Sequence, residues 1–166
     1  MHARSLALAA VVSAALLPAC DPGNAQNGAD TRVADNTANG EAVAITVHRS
    51  PTCGCCELWI EHLRRNGFDV TVVSENDLAP LKERLGVPGR LHTCHTAEVN
   101  GYVVEGHVPA DVIHRMLEEK PTDIAGIGVP GMPRGSPGME VPGLPAQSYA
   151  IIAFDREGGM KVYEQR

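Results

Sequence analysis

The sequence predicts an α/β domain, and three observations carry that prediction. From residue 43 to residue 119, β-branched runs alternate with helix-periodic runs. Glycine or proline punctuates most of the boundaries. A Cys-x-x-Cys pair falls where the first strand gives way to the first helix.

In chain order, Ala42 to His48 (AVAITVH) is β-branched and stops before Ser50-Pro51, which reads as a strand. Glu57 to Asn66 is helical, with Trp59 and Leu63 at i, i+4 and Gly67 as its stop. Asp69 to Ser74 is a second strand, and Leu78 to Leu85 is a short helix ended by Gly86. Val87-Pro88 then leads to a strand over Leu91 to Val99, an Asn100-Gly101 hairpin turn and a strand over Tyr102 to Glu105. A third helix spans Pro109 to Glu119, with Pro109 in its first turn and Asp111 near its positive end.

The resulting β-α-β-α-β-β-α order is that of thioredoxins and glutaredoxins. Val87-Pro88 falls where that fold keeps a cis-proline beside the active site. The expected fold is therefore thioredoxin-like over residues 43–119. Residues 120–166 form a Pro/Gly/Met-rich C-terminal extension, ending in a hairpin of Gln147 to Phe154 and Met160 to Glu164.

Residues 1–19 have the marks of a signal peptide: one early positive charge at Arg4, then an apolar run from Leu6 to Leu17. That run is shorter than the roughly 20 residues a spanning helix needs. Leu17-Pro18-Ala19-Cys20 resembles the lipobox of bacterial lipoproteins, with Pro18 a departure from it. Lipidation of Cys20 is expected, simple secretion being the alternative. Residues 20–42 then form a flexible tether, because Asp21 to Ala42 holds only one large aliphatic, Val33. Its reach is about 25 Å. The expected location is the periplasm, with membrane contact only through the lipid. A net charge of −6 without a basic stripe argues against nucleic acid. A monomer is expected.

With Cys20 assigned to lipid, Cys53, Cys55, Cys56 and Cys94 remain. Cys53 and Cys56 form a CxxC at a helix N-terminus, where the dipole favours thiolate. These two are the candidate catalytic residues. Thiol–disulfide exchange needs only that pair; Cys55 is extra. Three thiolates so close suit a soft ion that sulfur can bridge, and Cu(I) leads. Zinc is the competitor, since four cysteines suffice for a tetrahedral site, but a second CxxC or CxxH is missing.

Met132 and Met139 lie in GMPRGSPGME, a stretch with almost no other apolar side chain, so they read as presented thioether ligands. The alternative is a loop plug packed on the sheet. Among the histidines, His107 ends the fourth strand near where glutaredoxin-like folds bind ligands. Strand alternation puts His92 and Cys94 on one face and His95 on the other, so His95 joins Cys94 only through a bulge or twist. His107 and His95 are both candidate metal ligands. His48 ends the first strand near the cysteine loop and is expected to be structural, tuning of the site being the alternative; His62 and His114, in their helices, are expected to be surface or boundary residues.

The CGCC motif, LHTCHTAEVNGYVVEGHVP and GVPGMPRGSPGME together resemble the CopG-like periplasmic copper-resistance family, long catalogued as a domain of unknown function. The resemblance covers about residues 43 to 166. It implies a thioredoxin fold, an extension that helps bind metal, and several copper ions bridged by cysteine sulfur. Carried over, Cys53, Cys55, Cys56 and Cys94 would be the sulfur ligands, with Met132 and Met139 closing over them. It also implies interconversion of Cu(I) and Cu(II) in copper resistance, hence a possible copper oxidoreductase facing a periplasmic efflux or redox partner. Two rival readings are a metal-free thiol–disulfide oxidoreductase and a non-catalytic copper store or chaperone.

Overall fold

The computed structural model describes residues 42–166. The signal peptide, the lipobox and all of the tether but Ala42 lie outside the described residues. The elements are β1 (Val43–Arg49), α1 (Gly54–Arg65), β2 (Phe68–Ser74), α2 (Ala79–Arg84), a 3-10 turn (Gly89–Leu91), β3 (His95–Val99), β4 (Tyr102–Glu105), α3 (Ala110–Glu119), β5 (Gly126–Gly128), β6 (Ala150–Phe154) and β7 (Met160–Gln165). The first seven regular elements follow the expected β-α-β-α-β-β-α order.

One seven-stranded sheet runs β2-β1-β3-β4-β5-β6-β7. β1 is parallel to β2, with Val43 opposite Phe68, and antiparallel to β3, with Arg49 opposite His95. β3 and β4 form the hairpin that Asn100-Gly101 announced, Val99 opposite Tyr102. Alternation along each strand then assigns the two faces. Ile45, Val47, Ala97, Val99, Val104, Ile151 and Ala153 pack with Trp59, Ile60 and Leu63 of α1 and Val112, Ile113 and Met116 of α3. Residues such as Ile60 and Leu63, with no exposed surface, contribute about 1.5–3 kcal/mol each. The opposite face carries a smaller cluster of Val87, Leu91, Val103, Ala125 and Phe154.

The structure corrects two local expectations. The strand drawn from Leu91 begins only at His95: Leu91 closes the 3-10 turn, and Thr93 and Cys94 lie in irregular backbone. No peptide bond among the described residues is cis, so Val87-Pro88 is not the cis-proline that the fold order suggested. Pro88, at φ −61°, instead precedes the 3-10 turn, for which proline's fixed φ is preset.

The extension adds three strands to the sheet: the expected closing hairpin and one strand the sequence did not announce, β5. β5 was not legible because Gly-Ile-Gly has low strand propensity. Glycine is nevertheless required there: a Cβ on Gly126 would stand 2.2 Å from the Val103 carbonyl oxygen. β5 pairs parallel with β4 and antiparallel with β6, so the closing hairpin of β6 and β7 continues the same sheet.

Candidate metal centre

The CGCC motif lies within the start of α1, not ahead of it. The helix begins at Gly54, and the Cys53 sulfur caps it by accepting from the Cys56 N–H at 3.3 Å. This places Cys53, Cys55 and Cys56 around the positive end of a twelve-residue helix. Cys94 arrives from the bend before β3. Its sulfur is 3.3 Å from that of Cys53 and 3.6 Å from that of Cys56, while Cys53 and Cys55 are 3.5 Å apart. All four sulfurs lie within 4.8 Å of one another.

Cys53 and Cys56 are joined as a disulfide; Cys55 and Cys94 are free and half-buried. Burial pushes the Cys94 thiol up, and Cys55 beside it adds to this; the Lys82 charge pulls weakly the other way. Cys94 is therefore a thiol that a metal must deprotonate on binding. It is almost equidistant from the two disulfide sulfurs, so it meets that bond from the side and not along its axis. In-line displacement, as thiol exchange requires, is poorly served by this placement.

Behind the cluster on the α1 side stands His95, with Nδ1 3.2 Å from the Cys56 sulfur. Its ring stacks on Trp59 with centroids 4.5 Å apart and meets the His107 ring edge-on at 4.9 Å. The Trp59 N–H is satisfied by the Val108 carbonyl at 2.8 Å. His107 Nδ1 donates to the Pro137 carbonyl at 2.8 Å, which leaves Nε2 as the lone-pair nitrogen. Both Nε2 atoms are buried without a hydrogen-bond partner. Burial, reinforced by His107, pushes the His95 pKa down to about 3; burial also lowers that of His107. Both rings are neutral donors at neutral pH.

The expectation that His95 and Cys94 oppose each other across a strand does not apply, since Cys94 precedes the strand. The bend lets Cys94 reach the cluster while His95 enters the α1 face. No bulge is needed.

On the other face, Glu105 and Lys82 form a buried ion pair at 2.5 Å. Glu105 also accepts from the Thr93 N–H at 2.6 Å, the Thr93 hydroxyl at 2.8 Å and the Thr96 hydroxyl at 2.6 Å. Lys82 donates to Thr96 Oγ1 at 2.6 Å and reaches the His95 carbonyl at 3.4 Å. Thr93 and His95 flank Cys94, so this network pins the irregular segment that the sheet does not hold.

The extension approaches from outside. Gly138, at φ +82°, lies where a Cβ would stand 2.9 Å from Trp59 N and 3.2 Å from the Cys55 carbonyl, so Ser136-Pro137-Gly138 seats directly on the first turn of α1. Met139 follows and is half-buried. Met132 is 56% exposed and lines a pocket of about 220 Å³ with His92, Thr93, Cys94 and Gly131. His48 holds Glu75 at 2.6 Å and Glu98 at 3.3 Å, and His62 accepts from the Ala110 N–H at 3.1 Å. His114 stacks on Phe68. These three are occupied away from the sulfurs.

Sequence reasoning missed the Lys82–Glu105 pair. A signal was present: Glu105 is a lone carboxylate between Tyr102-Val103-Val104 and the Gly106 turn, and Lys82 directly follows Leu81 on the helix's buried side.

Residues 91–139 match the family described as "Protein of unknown function, DUF411". Two solved structures are similar over most of their length. One, "Copper resistance protein copG- Form 1", is 45% identical with a TM-score of 0.70, over 76% of this chain and 98% of that one. The other, "Copper resistance protein copG- Form 2", is 45% identical with a TM-score of 0.71, over 76% and 99%. No curated protein matches the chain.

Proposed function

The chain belongs to the CopG copper-resistance family, and on that premise we propose that it is an exported protein that binds copper through Cys53, Cys55, Cys56 and Cys94 and interconverts Cu(I) and Cu(II). The observation that carries this reading is the packing of four cysteine sulfurs within 4.8 Å of one another. Two of them exceed what a disulfide enzyme uses. No lysine or arginine nitrogen is hydrogen-bonded to any of these sulfurs among the described residues. The donor set therefore fits a soft cation.

Reduction of the Cys53–Cys56 disulfide takes up two electrons and two protons and gives two thiols. Deprotonated, these join Cys55 and Cys94 as ligands, and the α1 N-terminus favours their charge. His95 and His107 offer neutral nitrogens on the inner side, and Met132 and Met139 offer thioethers on the outer side. Bound copper would supply one-electron chemistry, which zinc lacks. Cys53, Cys55 and Cys94 are only half-buried, which leaves a periplasmic efflux or redox partner access, while Cys56 is buried. An N-terminal lipid on Cys20 would hold the protein at the membrane; no helix among the described residues is long and apolar enough to cross one.

A metal-free thiol–disulfide oxidoreductase is the second reading, favoured by the Cys53–Cys56 disulfide itself. The side-on position of Cys94 and the surplus thiol of Cys55 speak against it. Purifying the chain without oxygen, loading it with copper and counting ions per chain with the absorption spectrum separates the two. More than one copper per chain, reduced in Cys55→Ser, is expected. Zinc preference or only trace copper would defeat the copper reading. Cycling the loaded protein with an oxidant then tests redox against storage.

A further inference from the structure

The pocket of about 220 Å³ that opens on Cys94 is lined by two side chains that carry soft-metal donor atoms, His92 and Met132. His92 is exposed, and its Nε2 lies 3.0 Å from the Val87 carbonyl. A carbonyl only accepts, so Nε2 carries the proton and Nδ1 of the neutral ring keeps its lone pair. Metal-binding histidines are commonly oriented in this way, one nitrogen donating to a backbone carbonyl and the other bare. Met132 lies between Pro130 and Pro133, which stiffen its loop, and more than half of it faces solvent at 56%. A large exposed apolar side chain on a rigid loop beside a cysteine is poorly explained by packing.

We propose that His92 and Met132 form a loading site for Cu(I), which receives the ion at the surface and passes it to Cys94. The inference rests on the copper reading above and deepens it by naming the route in. Imidazole and thioether are uncharged, so together they hold Cu(I) loosely and exchange it fast. The Cys94 thiolate is anionic and holds it more firmly, so transfer runs inward. As the new copper–sulfur bond forms, the bonds to His92 and Met132 break and the Cys94 proton leaves to solvent. Copper remains Cu(I) throughout, and no electron moves.

Two experiments test this. In a chain with Cys53, Cys55, Cys56 and Cys94 all replaced by Ser, Ag(I) is titrated as a redox-inert stand-in and followed by NMR. The Met132 methyl and His92 ring resonances are expected to shift together. If they stay fixed, or if only one moves, the loading site does not exist. In the reduced native chain, Cu(I) uptake from a competing chelator is timed by stopped flow. His92→Ala is expected to slow uptake about tenfold, the factor that a modest lost contact on the barrier produces. His114→Ala, whose ring stacks on Phe68, serves as the control at the native rate.

Equal uptake by His92→Ala and the native chain would overturn the proposal. So would a final copper count lower by one ion, which would make His92 a resident ligand. Failure of the native chain to take up any copper would defeat the copper reading instead, and the silver titration distinguishes that case.

Discussion

Behind Cys94 the sheet buries two unlike regions. On the α1 face, His95 lies under Trp59 and meets His107 edge-on, each histidine with one buried nitrogen that has no hydrogen-bond partner. On the α2 face, Glu105 receives four hydrogen-bond donors and Lys82 donates to all the oxygens around it. Both regions are buried, yet only one is saturated. A saturated polar network fixes geometry, because every alternative position of the chain leaves a buried charge unpaired. Unsatisfied imidazoles do the reverse: they leave buried nitrogens without a partner, and His95 stands beside the Cys56 sulfur. The α2 face thus positions Cys94, and the α1 face keeps unpaired nitrogen behind it.

The largest expected effect comes from breaking the saturated side. Glu105→Ala strands the Lys82 ammonium and is expected to cost about 3–5 kcal/mol of unfolding free energy. Urea denaturation checks it; a cost near zero would mean that the network does not hold the segment. Replacing both partners, Lys82→Met with Glu105→Leu, sharpens the distinction between stability and position. Stability is expected to recover only part of that loss, since the apolar pair removes the stranded charge but leaves the Thr93 N–H and the Thr93 and Thr96 hydroxyls without their acceptor. Copper affinity is expected to fall about 10- to 100-fold as Cys94 loses its support. Chelator competition measures this, and unchanged affinity would remove the positioning role.

The imidazole side predicts a pH effect. The folded His95 pKa of about 3 lies below its unfolded value, so the unfolded chain binds the extra proton first. Stability is therefore full above pH 6.5 and falls on acidification toward pH 3, by about 1.4 kcal/mol per unit. Between pH 7 and 5 the metal-free reduced chain should lose about 2 kcal/mol from His95, with His107 acting in the same direction. His95→Phe should flatten that slope in parallel urea titrations. The smallest effect belongs to Lys161→Ala, which breaks a pair with Asp123 in which both partners face solvent. Its unfolding midpoint should match the native one. A measurable shift would show that burial is not what separates the two classes of ion pair.

Much of this was legible beforehand. The order of the first seven elements followed from Gly67, Gly86, Asn100-Gly101 and Pro109, because turn chemistry is local. The four cysteines were legible as a group because three of them share a single helical turn. Contact between Cys94 and that turn was expected from the family resemblance, not from any local spacing. His95 looked misplaced because alternation was carried back through Cys94, and the cue that the strand starts later, Pro88 before a 3-10 turn, was read as a cis-proline. β5 was hidden for a different reason. Its glycines are chosen for close approach to Val103, which no local propensity reports.

The sequence by itself determined the chemistry available here: four thiols, two loop thioethers, a CxxC at a helix N-terminus and an α/β order around them. Those are properties of residue types and short spacings. Only the tertiary structure decided which groups meet. It brought Cys94 to 3.3 Å from Cys53 and turned His95 onto Cys56. It also buried Lys82 against Glu105 and set His92 and Met132 around one pocket. Each of these pairings joins residues from different segments, and their distances depend on how the sheet packs. Local sequence does not carry that information.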